Sequence, residues 1–307
     1  MSAAPRPLDR FAVLVTLGLA TTWGLNQVMI KLALADLAPI TQSGLRAAAA
    51  TLFVGGYTLA FKREIFRRDE TLVAGLVVGF LFALEFIFIY LGVRLTTAAR
   101  TATFVFSAPL FVALGAVFVL PNERLQPLQW AGMALAFAGV VVGLGAHTEG
   151  ADFVGDGLAL LGAILWAATT IVIKATSLRR ADPIKVLLYQ IGVTTLVSPP
   201  AAFLAGEPLP THLSVAAGFS LLYQSVFIVG VTYIIWFRLL STYRASELSA
   251  FTFLTPIVGV FAGAVVLGET ITPTFLAALA LVAAGIILVN RSSRAPAAVP
   301  DALRDLG

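Results

Sequence analysis

The chain has 307 residues, 59% of them hydrophobic and only 12% charged, against about 25% charged in an average soluble domain. So few polar groups exclude a water-covered surface around a core of this size and leave a lipid-facing exterior. The net charge of +4 is small, no basic run carries interleaved aromatics, and there is no cysteine. Nucleic-acid binding, disulfides, thiolate metal sites and cysteine nucleophiles therefore drop out.

A helix needs about 20 apolar residues to cross roughly 30 Å of hydrocarbon, and ten stretches qualify. Arg6 and Arg10 precede the first, 11–33, read as a retained helix because it is long, carries Trp23, Asn26 and Gln27, and lacks a cleavage site. The second, 40–61, is opened by Pro39 and contains Arg46; the third, 71–93, contains Glu85. The fourth, 97–119, carries Pro109, and the fifth, 128–146, is opened by Gln126-Pro127. The sixth, 155–174, holds Trp166, Thr169 and Thr170; the seventh, 184–205, follows Pro183 and holds Tyr189 and Gln190. The eighth, 213–236, holds Tyr223, Gln224, Tyr233 and Trp236; the ninth, 247–267, has Pro256; the tenth, 274–290, is opened by Thr272-Pro273. Proline suits a first helical turn because its missing N–H has no partner there. The Pro/Ala-rich tail, 291–307, is expected to be mobile. The expected fold is an all-α membrane protein of ten transmembrane helices; the ten-residue alternation of a barrel is missing.

Placing the N-terminus inside puts sixteen of the 20 lysines and arginines on the inner side and only Lys31, Arg94 and Arg100 on the outer side, with Arg46 within a span. This bias predicts both termini in the cytoplasm. The two halves also resemble one another at an offset of about 143–147 residues: WGLNQVMIK (23–31) matches WAATTIVIK (166–174), AARTATFVFSAP (98–109) matches ASELSAFTFLTP (245–256), and NERLQP (122–127) matches GETITP (268–273). Each copy, 11–146 and 155–290, has five spans, an odd number, so the second copy is inverted relative to the first. Inverted repeats around a midplane site are the architecture of alternating-access transporters.

Several motifs carry a family resemblance: Trp23-Gly24; Pro39 followed by Arg46; Ser107-Ala108-Pro109; Asn122 to Leu125; the glycine pattern from Gly132; and Gly268-Glu269. As a set they resemble the ten-helix EamA-type branch of the drug/metabolite transporter superfamily. The resemblance implies a 5+5 inverted fold in a bacterial inner membrane, a central cavity between the halves, and export or uptake of amino acids, aromatic ones among them, or related metabolites.

Charge within a bilayer is costly, which makes Arg46 and Glu85 the leading candidates. Arg46 lies about 10 Å into its helix at 1.5 Å per residue; it meets a substrate carboxylate or makes a structural pair. Glu85 lies near the midplane and serves proton coupling, a substrate ammonium, or Arg46. Trp23, Asn26, Gln27, Trp166, Thr169, Tyr189, Gln190, Tyr223 and Gln224 complete the expected cavity set, since an amide in hydrocarbon needs partners. Tyr233 and Trp236 fit an interfacial belt. Pro109 and Pro256 are hinge candidates. Lys31 and Lys174 are expected to snorkel to the interface, and Glu123 and Glu269 to favour a nearby helix N-terminus. No catalytic residue, metal or cofactor is expected: His147 and His212 both fall in predicted loops and H-E-x-x-H is missing. The expected partners are a small-molecule substrate and the lipid bilayer. A multidrug or other metabolite carrier, proton-coupled through Glu85, and a channel are the alternative functions.

Overall fold

The structure, a computed structural model, describes residues 9–61, 63–66, 69–119, 126–147, 149–243 and 254–292. All regular elements among them are helices: α1 (Arg10–Ala33), α2 (Pro39–Phe61), α3 (Leu72–Leu95), α4 (Ala98–Val105), α5 (Ala108–Val119), α6 (Pro127–Gly145), α7 (Phe153–Ala175), α8 (Pro183–Leu204), α9 (Val215–Leu222), α10 (Tyr233–Thr242), α11 (Leu254–Leu267) and α12 (Pro273–Ser292). A π-helical stretch, Tyr223–Thr232, joins α9 to α10 without interruption, and short 3₁₀ turns occupy Arg63–Phe66 and Ser177–Arg180. Eight stretches are long and apolar enough to cross a membrane, α4 and α5 counting together as one; α11 and the Pro273–Val289 part of α12 are shorter apolar helices. The start of the expected ninth span, 247–253, Glu123 and the tail from 293 onward lie outside the described residues.

The helix starts carry the chemistry that the sequence suggests. Pro39, Pro127, Pro183 and Pro273 each occupy a first helical position. Asp9, Asp152 and Asp182 cap their helices by accepting from the backbone N–H of Ala12 (2.8 Å), Gly155 (2.6 Å) and Ile184 (2.8 Å), relieving N–H groups that have no intrahelical partner.

The main packing partners of each half belong to the other half. Helix α1 packs on α11, while α7, which matches α1 in the repeat, packs on α4 and α5. Helix α3 packs on α7, and the α9–π stretch, its repeat counterpart, packs on α1. Helix α2 packs on α8, and α6 on α12. The α6–α12 crossing is close because it is lined by glycine: a Cβ added to Gly132 would lie 2.9 Å from the Gly285 carbonyl oxygen, and one added to Gly139 would lie 2.8 Å from the Val282 nitrogen. Such small-residue contacts let helix backbones approach where lipid supplies no hydrophobic driving force.

Polar ties gather at one end of the bundle, where α1, α3 and α6 finish and α2, α4 and α7 begin. Glu207 accepts from the N–H groups of Ile40 (2.9 Å) and Thr41 (2.7 Å) at the start of α2. Glu269 accepts from Ala98 (2.6 Å) and Ala99 (2.9 Å) at the start of α4. It therefore caps a helix of the first half, not α12, the helix it precedes. Lys31 does not simply snorkel: its Nζ donates to the carbonyls of Val93 (2.6 Å) and Thr96 (2.5 Å), tying α1 to the end of α3. Arg100 is not an exposed outer cation but is 2% exposed and paired with Asp156, itself fully buried. Its Nε donates to both Asp156 oxygens (3.0 and 3.1 Å), and its Nη1 donates to the Ala146 carbonyl (2.8 Å). Thr96 completes the group by donating to Asp156 (2.9 Å).

At the opposite end Lys185 donates to Asp69 across 2.7 Å. This contact, aided by the Thr71 hydroxyl and N–H, holds the exposed Asp69 carboxylate down to about 2 from its ordinary 3.8. A carboxylate with a lowered native pKa adds stability above its unfolded value and loses it as pH falls through the native one. Thermal unfolding of the wild type is thus expected to lose ground to Asp69→Asn between pH 3.8 and about 2; parallel curves in that window would count against the pair.

Candidate functional site

A cavity of about 840 Å³ lies between the halves. Its wall takes residues from α1, α2, α3, α4, α5, α6, α7, α8, α10, α11 and α12 and from the π-helical stretch. It runs from Arg46 and Glu85 to Lys174, Arg179 and Pro183, at the end away from the polar ties, and no residue of the tied end contributes to it. The cavity is therefore closed at one end and reaches towards the other.

Its polar groups come from residues set in long apolar helices. Arg46 of α2 is 4% exposed and Glu85 of α3 is 3% exposed. The guanidinium sits over the Phe86 ring, with Cζ 3.9 Å from its centroid, an attractive arrangement for a desolvated cation. Arg46 lies close enough to Glu85 for their charges to interact, yet Arg46 Nε and Glu85 Oε2 are both buried without a hydrogen-bond partner. Asn26 Oδ1, Gln27 Oε1, Thr169 Oγ1 and Thr255 Oγ1 share that condition, and all four residues line the cavity. Buried polar groups in native structures are normally satisfied, so six partnerless atoms on residues of one wall make the cavity a candidate site for a polar ligand.

The structure brings together Trp23, Asn26, Gln27, Arg46, Glu85, Trp166, Thr169 and Gln190 on this wall, along with Pro109 and Pro256. Tyr189, Tyr223 and Gln224 are not on it. The Tyr189 ring packs over Gly75 and its hydroxyl meets that of Thr71 at 3.1 Å. The Tyr223 hydroxyl donates to the Thr22 carbonyl at 2.8 Å. Gln224, fully buried, accepts from the Tyr90 hydroxyl and from Gln42 Nε2 at 3.4 Å. These three join helices to one another.

Other wall residues are not in the cavity set expected from sequence. Tyr233 and Trp236, which fit an interfacial belt, line the cavity instead. Trp236 meets Trp23 edge to face at 5.4 Å, and Trp23 Nε1 donates to Thr232 at 2.8 Å. Thr255, beside Pro256, is the counterpart of Ala108 beside Pro109, so the repeat held a signal for it. Pro109 follows a break, since α4 ends at Val105 and α5 resumes at Ala108, and Pro256 lies in the first turn of α11, whose preceding residues are outside those described.

The EamA-like transporter family model matches the chain twice, over residues 10–144 and 153–291. The chain is 31% identical over 283 residues to a "Probable amino-acid metabolite efflux pump" of Salmonella typhimurium, covering 87% of this chain and 90% of the relative. It is 29% identical to the "Uncharacterized transporter YvbV" of Bacillus subtilis, with 94% of each chain covered. A solved crystal structure shares the fold, with a TM-score of 0.67 over 94% of this chain and all of the other at 18% identity.

Proposed function

Because the chain belongs to the EamA-like transporter family, an integral membrane family of transporters, we propose that it is a carrier exporting amino acids and related metabolites by alternating access. The observation that carries this reading is the cavity between the halves, closed at one end, with a partnerless Arg46 Nε and a partnerless Glu85 Oε2 among the residues of its wall. Arg46 supplies a binding partner for a carboxylate, and the aromatic rings of Trp23, Phe86 and Trp236 supply an apolar surface for the rest of the molecule. The relative described as an amino-acid metabolite efflux pump supports the same substrate class.

The exchange of packing partners between the halves supports an inverted two-fold relation, in which α1–α11 and α7–α4/α5 are equivalent contacts. The lysine and arginine bias, Lys174 and Arg179 included, supports a cytoplasmic position for the open end in a bacterial inner membrane. In this assignment both termini are cytoplasmic, ten helices span, and the state described is open to the cytoplasm and sealed outside by the Glu207, Glu269, Lys31 and Arg100 ties. Reversing the state breaks those ties and closes the opposite end.

Flux into proteoliposomes against a panel of amino acids, with and without a pH gradient, tests the reading. Saturable uptake, accelerated by unlabelled substrate on the far side, is expected. Linear flux without trans-stimulation would mean a pore, and no flux of any amino acid would remove the substrate class.

A further inference from the structure

We infer that Asn26, Gln27 and Glu85 form a receptor for a primary ammonium group, so that the carrier requires a substrate with a free amine. The inference rests on the reading of the cavity as an amino-acid binding site and adds the group that selects among amino-acid derivatives. Its basis is the sign of the unsatisfied atoms. Asn26 Oδ1, Gln27 Oε1 and Glu85 Oε2 are all acceptors, all buried without a hydrogen-bond partner, and all on residues of one cavity wall. Their residues are 8%, 3% and 3% exposed. A carboxyl or phosphate ligand brings acceptors of its own and leaves such a set unpaired. A primary ammonium brings three N–H donors and a positive charge, matching three acceptors of which one belongs to a carboxylate.

Arg46, on the same wall, offers the opposite chemistry. Its Nε is an unpartnered donor, and its guanidinium is held over Phe86. The cavity thus presents a cationic donor, Arg46 Nε, and a separate set of acceptors, each without a hydrogen-bond partner. This division suits the two ends of a zwitterion. Acylating the amine removes its charge and two of its three N–H groups, leaving acceptors unsatisfied. Enclosed sites built around a substrate N–H or O–H reject analogues lacking it by about 10⁴-fold. This cavity reaches the bundle end, so water moderates the penalty, and a discrimination of about 100-fold is expected.

The test uses the intact protein in proteoliposomes and four probes with the same phenyl ring: phenylalanine, N-acetylphenylalanine, 3-phenylpropionate and phenethylamine. Phenylalanine is expected to be carried. N-acetylphenylalanine and 3-phenylpropionate are expected to show kcat/KM lower by about 100-fold, and phenethylamine to compete with phenylalanine, though more weakly for want of the carboxylate. Glu85→Gln is expected to raise the KM for phenylalanine and to shrink the ratio between phenylalanine and its N-acetyl derivative. Because the comparison among probes is made on the wild type, it stands even if a variant fails to fold. If the N-acetyl and amine-free probes are carried within about threefold of phenylalanine, the ammonium receptor is wrong while the carrier reading survives. If none of the four is carried or competes, the amino-acid reading fails and this inference with it.

Discussion

Arg46→Met is expected to lower transport of a carboxylate substrate by about 10- to 100-fold while leaving the protein at least as stable as the wild type. The transport loss follows from a charge-assisted hydrogen bond worth about 1.5–3 kcal/mol, removed from a cavity whose other described wall cations, Lys174 and Arg179, lie at the end of α7 and in the turn after it. The stability expectation follows from the same geometry. Arg46 is buried and its Nε lacks a partner, so holding it in the bundle costs desolvation that the nearby Glu85 offsets only in part. Methionine retains much of the apolar contact with Phe86 and removes that cost. Arg46→Lys is expected to recover only part of the transport, because an ammonium cannot present the planar fork of a guanidinium to a carboxylate. Flux assays beside thermal unfolding in detergent separate the effects: loss of stability and transport together would make Arg46 a structural residue.

The reverse pattern is expected at Arg100. Its guanidinium is buried against Asp156 and the Ala146 carbonyl, between the rings of Phe104 and Phe275 at 5.6 and 5.4 Å. Asp156→Ala leaves this cation buried without its carboxylate, a change that costs about 3–5 kcal/mol and is expected to lower the unfolding temperature by about 10 °C. The double replacement Arg100→Met with Asp156→Leu removes both charges and is expected to recover most of that loss. If the single variant unfolds with the wild type, the pair contributes little. The double variant carries a second expectation: with one tie of the sealed end gone, the population open at that end rises.

Eight of the expected spans were legible because burial in lipid imposes a demand that each such segment meets alone: about 20 apolar residues; the last two expected spans are shorter apolar helices among the described residues. The described helices begin and end within one or two residues of the expected limits at most positions, for example Pro39–Phe61 against 40–61. The rotation of each helix about its axis was not legible. Tyr189 and Gln190 are neighbours on α8, yet one packs on Gly75 of α3 and the other lines the cavity. A polar side chain in a span either joins helices or lines a cavity, and only the packing of neighbouring helices decides. Long-range pairing was hidden for the same reason. Arg100 and Arg46 are both arginines near the start of a span, but Arg100 meets Asp156 from another helix, whereas Arg46 meets the cavity. The sequence match between the two halves leads to the proposed inverted relation, which the packing of α1 on α11 and of α7 on α4 and α5 supports.

The central claim, one cavity reached from one face at a time, is tested most directly by thiol labelling, for which the lack of native cysteine gives a clean background. Thr170→Cys puts a single thiol at a half-buried position of the cavity wall. In vesicles of known orientation, a membrane-impermeant maleimide is expected to react quickly from the face carrying Arg179 and slowly from the face carrying Glu269. Removing the Arg100–Asp156 pair is expected to slow the first reaction and speed the second. Equally fast labelling from both faces, unchanged when that pair is removed, would contradict alternating access and describe an open pore.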